Sequence, residues 1–248
     1  MDKTLVVIPY CSQGSQGREL EYAVAGWRRH FKEDYIIVLA GENHPISDTG
    51  SDICCVESKR VEGIEDQYRP HLDYVSCLKK VRAAFPETKG FIQVADDCYA
   101  VNDFDLVDVK LLKCLPEELI RVANPFNEWE VDAAKTRWIL SEDGYPLHNY
   151  TTHLPQWFDW DKIEDIWRRY DMERVSYCVE DLYYNILYAD RLPVKLNEQT
   201  DNIKMGLYDD KYDMSHLMSA IGRKIWITNS PAGWTDDLDA FLSWYYGI

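Results

Sequence analysis

Short apolar runs alternate with stretches of helical spacing along the first half of the chain. Residues 4–10 form a continuous apolar run with Pro9 near its end, as in a strand buried on both faces. A polar loop, Ser12-Gln13-Gly14-Ser15-Gln16-Gly17, comes next. Beyond it Leu20, Val24, Trp27 and Phe31 recur at helical spacing, with Arg28, Arg29 and Lys32 between them. Further strands are predicted at 35–40, stopped by Gly41, and at 53–56. Pro70 opens a helix whose stripe is Val75, Leu78, Val81 and Phe85, closed by Pro86. Residues 90–94 are another buried strand that runs straight into Ala95-Asp96-Asp97, and 119–123 reads as one more. Strand and helix alternating in this way predict an α/β fold: a Rossmann-like, mostly parallel sheet flanked by helices.

After about residue 125 the pattern breaks into short pieces, and Trp, Tyr and His become dense. Asp161 and Glu164 have capping-box spacing before a face made of Ile163, Ile166, Trp167 and Tyr170. Glu180-Asp181 opens a helix carrying Leu182, Ile186 and Leu187. Residues 224–228 read as a strand, and Leu238, Phe241, Leu242 and Tyr245 mark a terminal amphipathic helix. With no repeat, low-complexity tract or Gly/Ser/Pro-rich linker, the expectation is one domain over 1–248 in two halves, 1–125 and an aromatic-rich 126–248.

Composition narrows the classes of function. At 46% hydrophobic and 13% aromatic, the 248 residues have material for a sizeable core. Lys and Arg number 27 against 43 Asp and Glu, a net charge of −16, which argues against nucleic-acid binding and against a polybasic grip on anionic lipid. The longest apolar runs, 5–8 and 35–40, fall far short of the roughly 20 residues that span a bilayer. Asp2 and Lys3 lead directly into a strand, so neither leader nor transmembrane segment is expected. Seven cysteines, none at C-x-x-C spacing, point to free thiols in a reducing cytoplasm rather than to zinc or disulfides.

Candidate chemistry concentrates where Phe91-Ile92-Gln93-Val94-Ala95 ends in Asp96-Asp97. Ligands of open α/β sheets bind beyond the carboxyl ends of the strands, and adjacent carboxylates there are costly unless a cation or hydrogen-bond donor faces them. Mg²⁺ and Mn²⁺ accept one or two carboxylates plus phosphate oxygens. Both side chains reach one ion only if the strand breaks at this point; otherwise one Asp takes the metal and the other a sugar or ribose hydroxyl. Glu180 and Asp181 form a second acidic pair, equally explained by the favourable field of a helix start. His148 and His153 lie beside Thr, Asn and Trp without the spacing of a helical metal site. Trp129, Trp157 and Trp234 are the aromatic candidates for a surface groove. The Gly14/Gly17 loop lacks the ending of a phosphate loop, and Arg18, Arg60 and Arg69 are candidate phosphate contacts.

Val6-Val7-Ile8-Pro9-Tyr10 followed by a loop and helix, with a later strand ending in Asp96-Asp97, resembles glycosyltransferases of the GT-A fold over residues 4–105. The acidic pair stands in place of that family's spaced D-x-D. The resemblance implies that Asp96 and Asp97 hold Mn²⁺ or Mg²⁺ on the diphosphate of a nucleotide-sugar, a UDP-sugar by frequency in the family. It implies that Pro9, Tyr10, Arg18 and Arg69 bind the nucleotide-sugar in the first, nucleotide-binding half and that a glycan acceptor meets the second half. Many inverting members carry a Glu-Asp pair whose Asp deprotonates the acceptor, which implies Asp181, or Glu180, as base. His153-Leu154-Pro155 resembles segments of capsule-type sugar transferases and of Stealth-type sugar-phosphate transferases, with His153 serving phosphate, metal or acceptor. The alternatives are therefore sugar-phosphate transfer and a non-catalytic carbohydrate- or nucleotide-binding module.

Overall fold

The structure, a computed structural model, describes residues 3–12, 14–46, 50–59 and 70–248. Its elements begin β1 (Thr4–Cys11), α1 (Glu19–His30), β2 (Tyr35–Glu42), β3 (Ile53–Glu57), α2 (Pro70–Ala84) and β4 (Gly90–Gln93). A middle section holds β5 (Cys98–Ala100), α3 (Leu106–Lys110), β6 (Lys113–Cys114), α4 (Glu128–Glu142), β7 (Gln156–Asp159) and α5 (Trp160–Arg169). The last elements are α6 (Val179–Leu187), β8 (Val194–Lys195), β9 (Lys204–Leu207), α7 (Met214–Met218), β10 (Trp226–Asn229) and α8 (Asp236–Tyr246).

The main sheet has the order β3-β2-β1-β4-β7, with β7 antiparallel to β4 and the other neighbours parallel. A smaller sheet, β5-β10-β9, and a β6-β8 pair complete it. Alternation along β1 explains why the main sheet is covered on both sides. Leu5 and Val7 pack with Val75, Leu78 and Val81 of α2 and with Trp160 and Leu182 beyond. Val6 and Ile8 pack with Leu20, Val24 and Trp27 of α1 and with Trp226. Each fully buried aliphatic side chain contributes about 1.5–3 kcal/mol, so a one-residue slip of β1 would exchange every partner at once.

α1 and α2 lie on opposite faces of this sheet; from their carboxyl ends β1 leads through α1 to β2 on one side, whereas its other neighbour β4 leads away to β5 of the smaller sheet, so the chain diverges there. That divergence is a topological switch point, and it opens the crevice in which the site lies.

Two expectations differ from the structure, and one helix was not foreseen. Residues 119–123 form no strand: Leu119 is buried and donates to the Leu147 carbonyl at 3.1 Å, but Val122 is 86% exposed. The cap of α5 is Asp159, whose carboxylate accepts from the Lys162 N–H, so Asp161 lies inside the first turn. The pattern also gave no warning of α4, because its buried positions are Asp132, Thr136 and Leu140, a helical stripe that is mostly polar. All seven cysteines are free thiols, with Cys77, Cys98, Cys114 and Cys178 buried. Among the described residues no helix is long and apolar enough to cross a membrane.

Candidate active site

Two cavities, of about 300 and 330 Å³, open at the carboxyl ends of β1 and β4. They share a wall made by Gln93, Ala95, Trp129, His153 and Glu180. Pro9, Tyr10, Gly41, Tyr74, Asp96 and Asp97 belong to the first lobe alone, and Thr151, Thr152, Leu154 and Gln156 to the second. A cleft of two lobes with a polar partition can hold two molecules with their reacting ends together.

The strand breaks where the acidic pair requires it to. β4 ends at Gln93, and Asp96 and Asp97 sit in the turn before β5, so both face the first lobe. Burial, then the charge of Glu19, pushes Asp96 up to about 6 against the hydrogen bond from Ser15. Burial, then the charges of Asp96 and Glu19, pushes Asp97 up to about 8. Glu19 itself is committed: Oε1 accepts from Asn229 Nδ2 at 2.7 Å and Oε2 from the Gln16 N–H at 2.6 Å. Asp97 Oδ2 lies 3.9 Å from His153 Nδ1, and Oδ1 has no hydrogen-bond partner among the described residues. Among the described residues no group of three or more His, Cys, Asp or Glu forms a ready metal site. A cation bound here would draw its remaining ligands from the substrate and water.

The second acidic pair divides at the start of α6. Consecutive helical positions point about 100° apart, so one side chain turns inward and the other toward the cleft. Asp181 is fully buried, accepting from the Tyr150 N–H at 2.5 Å and from Thr151 Oγ1 at 3.0 Å. Burial, helped by the charge of Glu180, pushes it up to about 7. Glu180 forms part of the wall between the lobes; Gln93 Nε2 donates to its Oε1 at 3.2 Å, while Oε2 has no partner among the described residues. Gln93 Oε1 and the Tyr74 hydroxyl, on residues of the same cleft, are likewise without a partner among the described residues.

His153 occupies the left-handed region at φ 55°, a conformation that costs a non-glycine residue of order 1–3 kcal/mol. Its ring is 53% exposed, standing in the cleft with protein around it; desolvation, then the charge of Lys204, lowers its pKa. Lys204, almost wholly buried, holds the preceding residue: Nζ donates to the Thr152 carbonyl at 3.0 Å and to Tyr208 Oη at 2.7 Å. Glu198 Oε1 lies 3.4 Å from the same ammonium.

The architecture is similar to a glycosyltransferase fold. Superposed on the apo structure of WbbM, a bifunctional glycosyltransferase, the chain aligns over 99% of its length with a TM-score of 0.51 at 10% identity. It spans half the length of that protein. No family model matches the sequence, and no curated protein does so either.

Within this glycosyltransferase-like fold, Pro9, Tyr10, Asp96, Asp97, His153 and Glu180 come together in the cleft. Asp181 lies behind it. Arg18 turns away, paired with Glu21 at 2.6 Å and stacked on the Tyr22 ring, and lines neither lobe. Arg69 and Arg60 lie outside the described residues. Trp129 lines both lobes with 53% of its surface exposed. Trp157 instead packs beneath Lys110 Nζ, and Trp234 against Tyr22 and Gly17. Sequence reasoning missed Tyr74 and Lys204; a lysine opening a strand carries no sign that it is buried.

Proposed function

We propose that this protein is a GT-A-type glycosyltransferase that moves a sugar from a nucleotide-sugar, a UDP-sugar first, to a carbohydrate acceptor. The observation that carries the reading is the shared wall: Glu180, with one free carboxylate oxygen, stands between a lobe lined by Asp96 and Asp97 and a lobe lined by Thr151, Thr152 and Gln156.

In this reading the first lobe takes the donor, with Tyr10 and Tyr74 beside the nucleoside and the acidic pair beside the diphosphate. The unpartnered Asp97 Oδ1 and the raised pKa values of both carboxylates fit a divalent cation completed by diphosphate oxygens, Mn²⁺ or Mg²⁺. When bound, such an ion supplies neutralisation of the charge that builds on the leaving nucleotide. Glu180 Oε2 accepts the proton of the acceptor hydroxyl as that oxygen bonds the anomeric carbon and the bond to the diphosphate breaks. Gln93 holds the other oxygen, and His153 orients the acceptor from the wall. Asp181 serves this arrangement indirectly by fixing the backbone of Tyr150 and the Thr151 hydroxyl.

The test is a panel of sugar nucleotides, with and without Mn²⁺, read by the thermal unfolding midpoint. A ligand at about 100 times its Kd raises stability by about 2.7 kcal/mol, so a true donor stands out. A panel in which no nucleotide shifts the midpoint, while free glycans do, replaces this reading with that of a carbohydrate-binding module.

A further inference from the structure

The first lobe contains a second constellation that the reaction above does not use. His71, the second residue of α2, is 3% exposed and lines that lobe and not the other. Its Nδ1 lies 3.0 Å from Oδ2 of Asp132 on α4, and the ring meets the Trp129 indole edge-on at 4.9 Å between centroids. Asp132, 1% exposed, also accepts from the Ser176 hydroxyl and from Lys135 Nζ at 3.3 Å. Burial alone would push its pKa up, but the hydrogen bonds from His71 and Ser176, with the charges of His71 and Lys135, hold it below the ordinary range. A carboxylate kept ionised in so buried a place orients the imidazole, with Nδ1–H donating to it. Nε2, on the opposite edge of the ring, has no partner among the described residues.

The charge of the lobe decides what that nitrogen faces. Among the described residues lining either lobe there is no Lys or Arg; only His71 and His153 can carry a positive charge, and His153 stands in the shared wall. Asp96 and Asp97 make the lobe repulsive to a phosphate except where a cation or a charged donor offsets them. The start of α2, a 15-residue helix, also presents the positive end of its dipole here.

We infer that His71 Nε2 hydrogen-bonds a phosphate oxygen of the nucleoside diphosphate in the first lobe, with Asp132 and Ser176 as positioning residues behind the ring. The phosphate contact belongs to the imidazolium form of the ring, which donates from both nitrogens, one to the Asp132 carboxylate and one to the phosphate. The inference rests on the proposed donor lobe and adds a contact independent of the acidic pair.

Calorimetry with UDP and with uridine, both in the presence of Mn²⁺, tests it. The unaltered chain should bind UDP more tightly than uridine. His71→Gln, which keeps an amide for Asp132 but no cation, should weaken UDP about tenfold or more and leave uridine unchanged. Asp132→Asn should weaken UDP by a smaller factor and add little to the loss in the double variant, since both act through one ring. Ser176→Ala leaves His71 and Asp132 in place, should weaken UDP least, and serves if the larger changes unfold the chain. Equal losses for UDP and uridine in His71→Gln would assign the ring to the nucleoside and overturn the inference, as would folded variants that all bind UDP normally. An unaltered chain that binds neither UDP nor GDP overturns both this inference and the donor lobe itself.

Discussion

At the scale of residues, Glu180 and Asp181 share chemistry and a helical turn but differ in what surrounds them. Glu180→Gln keeps the size and the hydrogen bond to Gln93 while removing the base. Its kcat should fall by a factor of about 10²–10⁴ at an unchanged unfolding midpoint. Asp181→Ala should do the reverse: it strips the acceptor from the buried Tyr150 N–H and the Thr151 hydroxyl, costing about 1–3 kcal/mol of stability. A midpoint unmoved in Asp181→Ala, with activity lost, would exchange the two roles. Asp97 gives a pH signature of definite sign. The folded chain keeps that proton up to about pH 8, whereas the unfolded chain releases it near the ordinary 3.8. The folded state therefore binds more protons between those limits, and this contribution to stability declines as pH rises through the window. Asp97→Asn should flatten the decline in thermal melts between pH 5 and about 8, and added Mn²⁺ should oppose it increasingly as pH rises.

At the scale of elements, the strands and helices that enclose the sheet were legible because their apolar positions are regular. β1, α1, β2, β3, α2, β4, α6 and α8 all lie where hydrophobic spacing puts them, within a few residues. What stayed illegible lies where polar residues take interior positions. α4 buries Asp132 and Thr136, and β9 opens with the buried Lys204, so a reading that assigns charged residues to the surface passes over both. These are also the positions that build the site from behind, Asp132 beneath His71 and Lys204 beneath His153. The acidic pair was visible because two carboxylates at a strand end need a reason; which member of the second pair enters the cleft depends on helix rotation, which spacing does not reveal. Gly41 shows how firmly one element can depend on another. β2 continues through it to Glu42, and a Cβ there would stand 2.0 Å from the Tyr10 carbonyl at the rim of the first lobe. Gly41→Ala should force β1 and β2 apart at that rim, lowering the unfolding midpoint and weakening UDP binding together. Normal binding in this variant would show that the end of β1 does not shape the lobe.

For the whole molecule, the governing fact is that an anionic ligand is asked to enter an anionic protein. The net charge is −16, and the described residues that line the first lobe include Asp96, Asp97 and Glu180 but no Lys or Arg. A basic nucleotide site attracts its ligand over a distance and loses affinity as salt screens that attraction; here the long-range field repels, and screening should help. Raising ionic strength from about 0.01 to about 0.1 M shortens the screening length from about 30 to about 10 Å, which removes most of the repulsion from distant charges but little of a direct contact. Without a divalent cation, UDP binding should therefore be weak and should tighten over that range, chiefly through a faster association rate. With Mn²⁺ present the affinity should be much higher and its dependence on salt smaller, because the ion neutralises the charges nearest the diphosphate. Stopped-flow association of a fluorescent nucleoside diphosphate, measured across the salt series with and without Mn²⁺, separates the two regimes. Association that slows as salt is added to the metal-free protein would mean that a positive field guides the ligand. The excess of acid would then lie away from the cleft, and the case for a cation in the first lobe would lose its electrostatic basis.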